Sequence, residues 1–130
     1  MFLQKDNLNE AIEAVSIGSI VGIPTETVYG LGVDPYSEKA VKNLFKIKER
    51  DDSKPVSLLV PSYSSIHKLN IITDIPEVVE LYWPGPLTIV VETNQEFIDG
   101  VGTKSPNTIG IRVPDNELSI ELLNNTGPLA

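Results

Sequence analysis

Hydrophobic residues recur at helical spacing in three segments of the chain. The first segment has its apolar positions at Leu8, Ala11, Ile12 and Val15. This spacing puts them on one face of a helix. Asn7 followed by Glu10 is typical of an N-cap with its reciprocal partner, and Gly18 is a typical residue just beyond a helix end. We therefore predict a helix that begins after Asn7 and ends at Gly18.

The second helical segment follows Ser37, a favourable N-cap residue. Its apolar stripe consists of Ala40, Val41, Leu44 and Ile47. We expect this helix to end near Arg50. The third segment runs from Leu118 to Asn124 and ends at Gly127. Shorter helices are expected at 64–70 and 76–82, and the Trp-Pro-Gly-Pro sequence at 83–86 stops the latter because proline cannot continue a helix.

Four segments have the pattern of strands. Residues 19–24 and 56–60 are short and almost continuously apolar, as in strands that are covered on both faces. Residues 87–92 and 108–113 follow later, and the last segment alternates. Its apolar positions are Ile109, Ile111 and Val113, and the positions between them are Thr108, Gly110 and Arg112. Alternate residues of a strand face the same side, so Thr108 and Arg112 should share a face. Residues 25–34 and 93–107 are polar and are predicted to be loops.

Helices and strands alternate along the chain, which indicates an α/β (α+β) fold with a twisted mixed sheet and helices packed on it. We expect strands 87–92 and 108–113 to be antiparallel neighbours joined by one long loop. The length fits a single domain, residues 1–130. The final residues, 127–130, have the composition of a turn that enters a further buried strand. A chain that ends there would leave an unpaired sheet edge.

Composition narrows the possible chemistry. The chain has no cysteine, so disulfides, thiolate metal sites and cysteine nucleophiles are excluded. The single histidine, His67, is expected on the surface. A formal net charge of −8 disfavours an extended nucleic-acid surface, which needs clustered lysine and arginine. No N-terminal segment resembles a signal peptide or a membrane span, and we expect a cytoplasmic protein without membrane contact.

Residues 24–32, Pro-Thr-Glu-Thr-Val-Tyr-Gly-Leu-Gly, directly follow a predicted buried strand. Ligands of open α/β sheets bind beyond the carboxyl ends of strands, so this segment is a candidate binding loop. An equally supported interpretation is a capped turn, in which Thr25 or Thr27 binds backbone groups and the glycines permit the turn.

Lys48 and Arg50 at the end of the second helix could clamp a phosphate group. The alternative is that they only stabilise the negative end of the helix or pair with Asp51 and Asp52. Thr108 and Arg112 form a third candidate, because arginine within a strand suits a carboxylate or phosphate; the alternative is a solvated polar face. No phosphate loop of the Walker type and no metal-spaced cluster is present.

Five ordered motifs resemble those of the YrdC/Sua5 family: PTETVYGLG, KxR followed by KP, WPGPLT, TIGIRVP and GPLA. This resemblance implies the YrdC/RibB-like fold and a nucleotidyltransferase. The enzyme would form L-threonylcarbamoyladenylate and pyrophosphate from L-threonine, bicarbonate and ATP with Mg²⁺. Its product would pass to a downstream threonylcarbamoyl-transferase complex that modifies tRNA to N6-threonylcarbamoyladenosine, and binding of tRNA or double-stranded RNA is a weaker expectation.

The resemblance also implies residue roles. Thr27 and Arg112 would bind L-threonine, Lys48 and Arg50 would be catalytic and hold the ATP phosphates, and Lys54 and Thr108 would contact ATP; no residue is expected to bind a metal. Asp51 and Asp52 replace the usual proline after KxR and could weaken ATP binding. The family pattern continues beyond GPLA into a Ser-Ala-Asn element, so we expect the site to be incomplete. The alternatives are a non-catalytic paralogue that binds nucleotide or RNA, and a domain of a hydrogenase-maturation protein.

Overall fold

The computed structural model describes residues 1–26, 28–49 and 54–130. Within these ranges the helices are α1 (Leu8–Ser16), α2 (Glu38–Lys48) and α3 (Glu117–Thr126), with two 3₁₀ helices at Ser64–Leu69 and Glu77–Tyr82. The strands are β1 (Val21–Pro24), β2 (Tyr29–Gly32), β3 (Leu58–Leu59), β4 (Ile89–Glu92) and β5 (Thr108–Arg112). The helices and four of the strands lie where the sequence predicts them.

The strands form two small sheets. β1 and β2 are antiparallel partners, and β5 lies between β3 and β4. β3 is parallel to β5, whereas β4 is antiparallel to it. The mixed sheet and the antiparallel pairing of β4 with β5 are therefore confirmed. The loop prediction for residues 25–34 is wrong at Tyr29–Gly32, which pairs with β1.

The last two residues of the chain join the two sheets. Leu129 exchanges backbone hydrogen bonds with Leu59 of β3, with N–O distances of 3.1 and 2.8 Å. Ala130 exchanges two more with Val33, directly after β2, at 3.2 and 2.9 Å. Leu129 and Ala130 are both buried. Residues 129–130 therefore pair with Leu59 and Val33 on either side, as an isolated bridge rather than a strand.

Two apolar clusters cover opposite faces of this sheet. Leu58 is in the larger cluster, which includes the buried face of α2, while Leu59 packs against the smaller one, which includes residues of α1 and α3. Neighbouring strand residues point to opposite faces, so the two clusters lie on opposite sides. Arg112 is the register partner of Leu59 and shares its face. The smaller cluster therefore lies on the same side of the sheet as Arg112.

Local capping differs between the helices. Ser37 and Asn116 accept hydrogen bonds from the backbone N–H groups of Ala40 and Ser119, as N-caps do. Asn7 makes no such cap; its side chain instead bonds the N-terminal segment at Gln4 and Phe2. The predicted reciprocal cap at Asn7 is therefore wrong, because the preceding backbone competes for its amide.

One further prediction is corrected. Ile47 was placed in the apolar stripe of α2 but is 62% exposed, and Phe45 is buried instead. The short helix expected at 76–82 is present as a 3₁₀ helix at Glu77–Tyr82. His67 is exposed, as predicted. Among the described residues, no helix has both the length and the apolar character needed to cross a membrane.

Candidate functional site

A cleft of about 320 Å³ opens where the β1–β2 turn, the end of α2 and the β3–β5 pair meet. This volume is at the lower end of the range for small-molecule sites. Eight of the twelve described residues that line it belong to four of the quoted motifs, and the full lining is Thr25, Val28, Gly30, Leu31, Leu44, Lys48, Pro55, Val56, Ser57, Leu59, Arg112 and Ala130. Two of the predicted site residues, Lys48 and Arg112, thus line one cleft.

Gly110 shares one face of β5 with Arg112, and its neighbours leave no room there for a side chain. A Cβ atom at Gly110 would lie 2.9 Å from Cβ of Ser57 and 3.4 Å from Cγ2 of Thr88, which is too close for ordinary packing. Val90, the register partner of Gly110, is 69% exposed. The described residues therefore leave the sheet exposed at Val90, beside Gly110.

Arg112 is held by residues from two other motifs. Its Nη2 donates to Oε2 of Glu26 at 2.5 Å, and its Nε donates to the backbone oxygen of Gly85 at 3.1 Å. The side chains of Arg112 and Glu26 are each 20% exposed. The motifs at 24–32, 83–88 and 108–114 therefore converge on one guanidinium group.

Glu26 is ionised at neutral pH. Burial of its carboxyl group raises the pKa. The hydrogen bond from Arg112, backbone hydrogen bonds and the guanidinium charge together lower the pKa by more than burial raises it. The net result is a pKa below the ordinary value of 4.5. Glu26 and Arg112 thus form a partly buried pair of opposite charges with little net charge.

The Trp-Pro-Gly-Pro turn positions the Gly85 carbonyl group. The indole Nε1 of Trp83 donates to the Leu87 oxygen at 2.7 Å, and the Gly85 N–H donates to the Val113 oxygen at 2.9 Å. A Cβ atom at Gly85 would lie 2.5 Å from the backbone oxygen of Tyr82. The turn is therefore structural, as its rigidity suggests, but it also orients a site residue, a role that the sequence analysis missed.

Thr25 closes the β1–β2 turn. Its hydroxyl group donates to the Val28 oxygen at 2.7 Å and accepts from the Val28 N–H at 3.2 Å. For Thr25, the capped-turn interpretation of this motif is therefore confirmed. Thr25 also lines the cleft, so the same turn serves both purposes. Thr27, the residue expected to bind threonine, lies outside the described residues.

The remaining predicted residues are placed differently. Thr108 shares the face of Arg112, with Gly110 between them, but it does not line the cleft; its hydroxyl group is hydrogen-bonded to that of Thr103. Lys54 is exposed and immediately precedes the cleft wall that begins at Pro55. Arg50, like the neighbouring Asp51 and Asp52, lies outside the described ranges. The roles of all these residues stay predictions.

A larger cavity of about 510 Å³ lies between α2 and the loop at 99–104. Its two cations are already paired: Lys104 with Asp99 at 3.1 Å, and Lys42 with Glu38 at 3.3 Å. Apart from these lysines the wall is mainly apolar or glycine. The smaller cleft is the better candidate, because it alone of the two combines Lys48, Arg112 and residues of several motifs.

No group of three acidic or histidine residues suitable for a metal ion occurs within 1–26, 28–49 and 54–130. Glu26 faces the Arg112 guanidinium rather than an open coordination site. The described residues therefore do not fit a protein-held metal centre. A Mg²⁺ ion bound mainly by phosphate oxygens and water would not require one.

Comparisons of the sequence and the structure with known proteins identify one family. The family model Sua5/YciO/YrdC, described as "Telomere recombination", matches residues 13–130. The threonylcarbamoyl-AMP synthase of Pyrococcus abyssi is 36% identical over 110 residues, which are 82% of this chain. The threonylcarbamoyl-AMP synthase of Pseudomonas fluorescens is 33% identical over 127 residues, or 94% of this chain.

A solved structure is similar over the whole chain. The P. abyssi Sua5 protein in complex with L-threonine superposes with a TM-score of 0.77 at 28% identity, covering 100% of this chain and 41% of that one. The chain spans only 32% of the length of the P. abyssi synthase and 66% of the P. fluorescens one. The similarity therefore concerns a part of those longer proteins.

Proposed function

Because the chain belongs to the Sua5/YciO/YrdC family, we propose that it carries the amino-acid site and part of the nucleotide site of a threonylcarbamoyl-AMP synthase. The observation that carries this proposal is the cleft in which Arg112, oriented by Glu26 and Gly85, lies together with Lys48. The relatives bear the name of this synthase, and the P. abyssi structure holds L-threonine.

The proposed reaction is a nucleotidyl transfer. The amine of L-threonine combines with bicarbonate to give a carbamate and water; a carbamate oxygen then attacks the α-phosphorus of ATP, and pyrophosphate leaves. No protein nucleophile is needed, which agrees with a chain that has no cysteine. The product would be L-threonylcarbamoyladenylate, a donor for the downstream tRNA modification.

The chain's own residues would bind the substrates and neutralise their negative charges. Arg112 would take the carboxylate of threonine, since a guanidinium group matches a carboxylate with two parallel hydrogen bonds. Lys48, an exposed cation at the C-terminus of α2, would approach the phosphate groups as a mobile point charge. Mg²⁺ would accompany ATP on its phosphate oxygens. Positioning and charge neutralisation are the main contributions that such a reaction asks of a protein.

Calorimetric titration of the chain with L-threonine and with ATP and Mg²⁺ tests this proposal. Arg112→Ala should weaken threonine binding by about 1–3 kcal/mol, the worth of a charge-assisted pair. Lys48→Ala should weaken ATP binding and leave threonine binding nearly unchanged. Lys46→Ala, which removes an exposed cation from the same helical turn but outside the cleft, is the matched control. Unchanged threonine affinity in Arg112→Ala would refute the assignment.

A non-catalytic paralogue of the same fold would also bind these ligands. Release of pyrophosphate that depends on both threonine and bicarbonate separates the two possibilities. Since the chain spans part of its relatives' length, the assay compares the chain alone with the chain mixed with the portion of a full-length relative that this chain does not match. Binding without pyrophosphate release in both samples would favour the paralogue.

A further inference from the structure

Glu26 contacts Arg112, the residue at the centre of the proposed amino-acid site. Its carboxylate accepts from Nη2 of Arg112, across a sequence separation of 86 residues. Glu26 sits in the β1–β2 turn, and the Arg112 side chain rises from β5. An ion pair that joins a turn to a strand beside a cleft, with both side chains 20% exposed, has a larger effect than one on the open surface.

The way Arg112 is bound leaves a defined set of donors for a ligand. Nε and Nη2 lie on one edge of the guanidinium plane, and that edge is used by the Gly85 oxygen and Glu26. The end of the group retains Nη1 and the second N–H of Nη2, and no described residue accepts a hydrogen bond from Nη1. This remaining fork matches a carboxylate. Glu26 and Gly85 together thus fix which edge of Arg112 is offered to the cleft.

The pair also determines the charge that a ligand meets. Arg112 and Glu26 nearly cancel each other, so a simple carboxylate gains little long-range attraction from them. A zwitterion gains from both, because its carboxylate can bind the free fork while its ammonium group is attracted to Glu26. The carboxylate and ammonium groups of an α-amino acid are one carbon apart, a separation comparable with the distance between the two charges of the pair.

We propose that Glu26 is a positioning and specificity residue: it holds Arg112 with its free fork toward the cleft and selects an α-amino acid over a carboxylate that lacks the amino group. The inference rests on the proposed function, since it concerns the same amino-acid site. Glu26 would thus join the residues of that site and cause it to reject hydroxy acids that lack an amino group.

The test compares L-threonine with 3-hydroxybutyrate, which is threonine without its amino group. Calorimetric titration of the wild-type chain should show L-threonine binding at least about tenfold more tightly, the value of one charge-assisted contact of about 1.4 kcal/mol. In Glu26→Gln this ratio should fall toward one, since threonine loses affinity and 3-hydroxybutyrate keeps or gains it. Glu121→Gln, an exposed glutamate on α3 outside the cleft, should leave the ratio unchanged.

A second readout follows Arg112 directly. The Nε–H resonance of Arg112 should be sharp in the wild-type chain and broadened by exchange in Glu26→Gln. If Glu26 only stabilised the fold, Glu26→Gln would instead weaken the binding of L-threonine and of 3-hydroxybutyrate equally. Equal affinity of the wild-type chain for both ligands overturns the inference without any variant. Threonine binding with the same ratio in Glu26→Gln overturns the inference alone. A wild-type chain that binds neither ligand overturns the amino-acid site itself, and the inference with it.

Discussion

The junction made by Leu129 offers a direct test of how the fold is held together. Leu129 is 1% exposed and packs in the smaller cluster with Val21, Ile23 and Leu122. Leu129→Ala removes three carbon atoms from this cluster. At about 0.8 kcal/mol for each buried carbon, the lost burial alone amounts to about 2.4 kcal/mol. The cavity left behind adds to this, so we expect a loss of about 2–5 kcal/mol in the free energy of unfolding.

Urea denaturation followed by circular dichroism measures this loss. The backbone hydrogen bonds between Leu129 and Leu59 do not depend on the side chain, so the variant should still fold and its transition should move to lower urea. The matched control is Leu81→Ala, because Leu81 is 82% exposed and the same atoms are removed from a surface position. Its unfolding free energy should change by less than about 0.5 kcal/mol.

Equal effects of Leu129→Ala and Leu81→Ala would refute the reasoning. That result would mean that the Leu129 side chain is not packed against the cluster in solution. A change in the slope of the transition without a shift of its midpoint would also contradict it, because the slope reports the surface exposed on unfolding rather than the lost packing.

Three further predictions concern the turns and the charge pair. Gly85→Ala should lose about 1–3 kcal/mol of stability, since a Cβ atom would lie 2.5 Å from the Tyr82 oxygen, while Gly30→Ala, with no atom within 4 Å of its Cβ, should be nearly neutral in the same urea assay. Asn116→Ala should cost about 1 kcal/mol through loss of the α3 N-cap, measured by thermal unfolding; no change would show that the cap is replaced by water. For Glu26 the folded pKa is below 4.5, so the unfolded chain binds the proton first. The stabilisation that the Glu26 carboxylate gives the fold is fully present above pH 4.5 and is lost as the pH falls through the folded pKa. The stability difference between wild type and Glu26→Gln should therefore shrink on acidification. A difference that stays constant with pH would contradict the ion pair.

The elements with strong local signals could be predicted from the sequence. α1, α2 and α3 have apolar residues at helical spacing, and β5 has a period of two, so each pattern identifies its element without knowledge of its neighbours. The antiparallel pairing of β4 with β5 also followed from their order. Ile47 was placed wrongly because it lies at the margin of the α2 stripe, where the neighbouring elements decide which side chain is covered.

β2 was missed because its four residues carry no alternation of their own. Tyr29 is exposed and two of the four positions are glycine, so local propensity favours a loop. The strand exists because its backbone pairs with β1 across a tight turn that Thr25 closes. A pairing of this kind depends on register and on a partner, neither of which a short window of sequence contains.

The features of the site also divide into those that the sequence determines and those that depend on tertiary contacts. The sequence by itself determined which residue types are available, namely a chain without cysteine that carries Lys48 and Arg112 in recognisable motifs. Only the tertiary structure decided that Lys48 and Arg112 share a cleft, that Thr108 does not line it, and that Glu26 and the Gly85 carbonyl orient Arg112. The reason is physical: helices and strands arise from periods of a few residues, whereas the contact of Glu26 with Arg112 spans 86 positions and exists only once two separate motifs have been packed side by side.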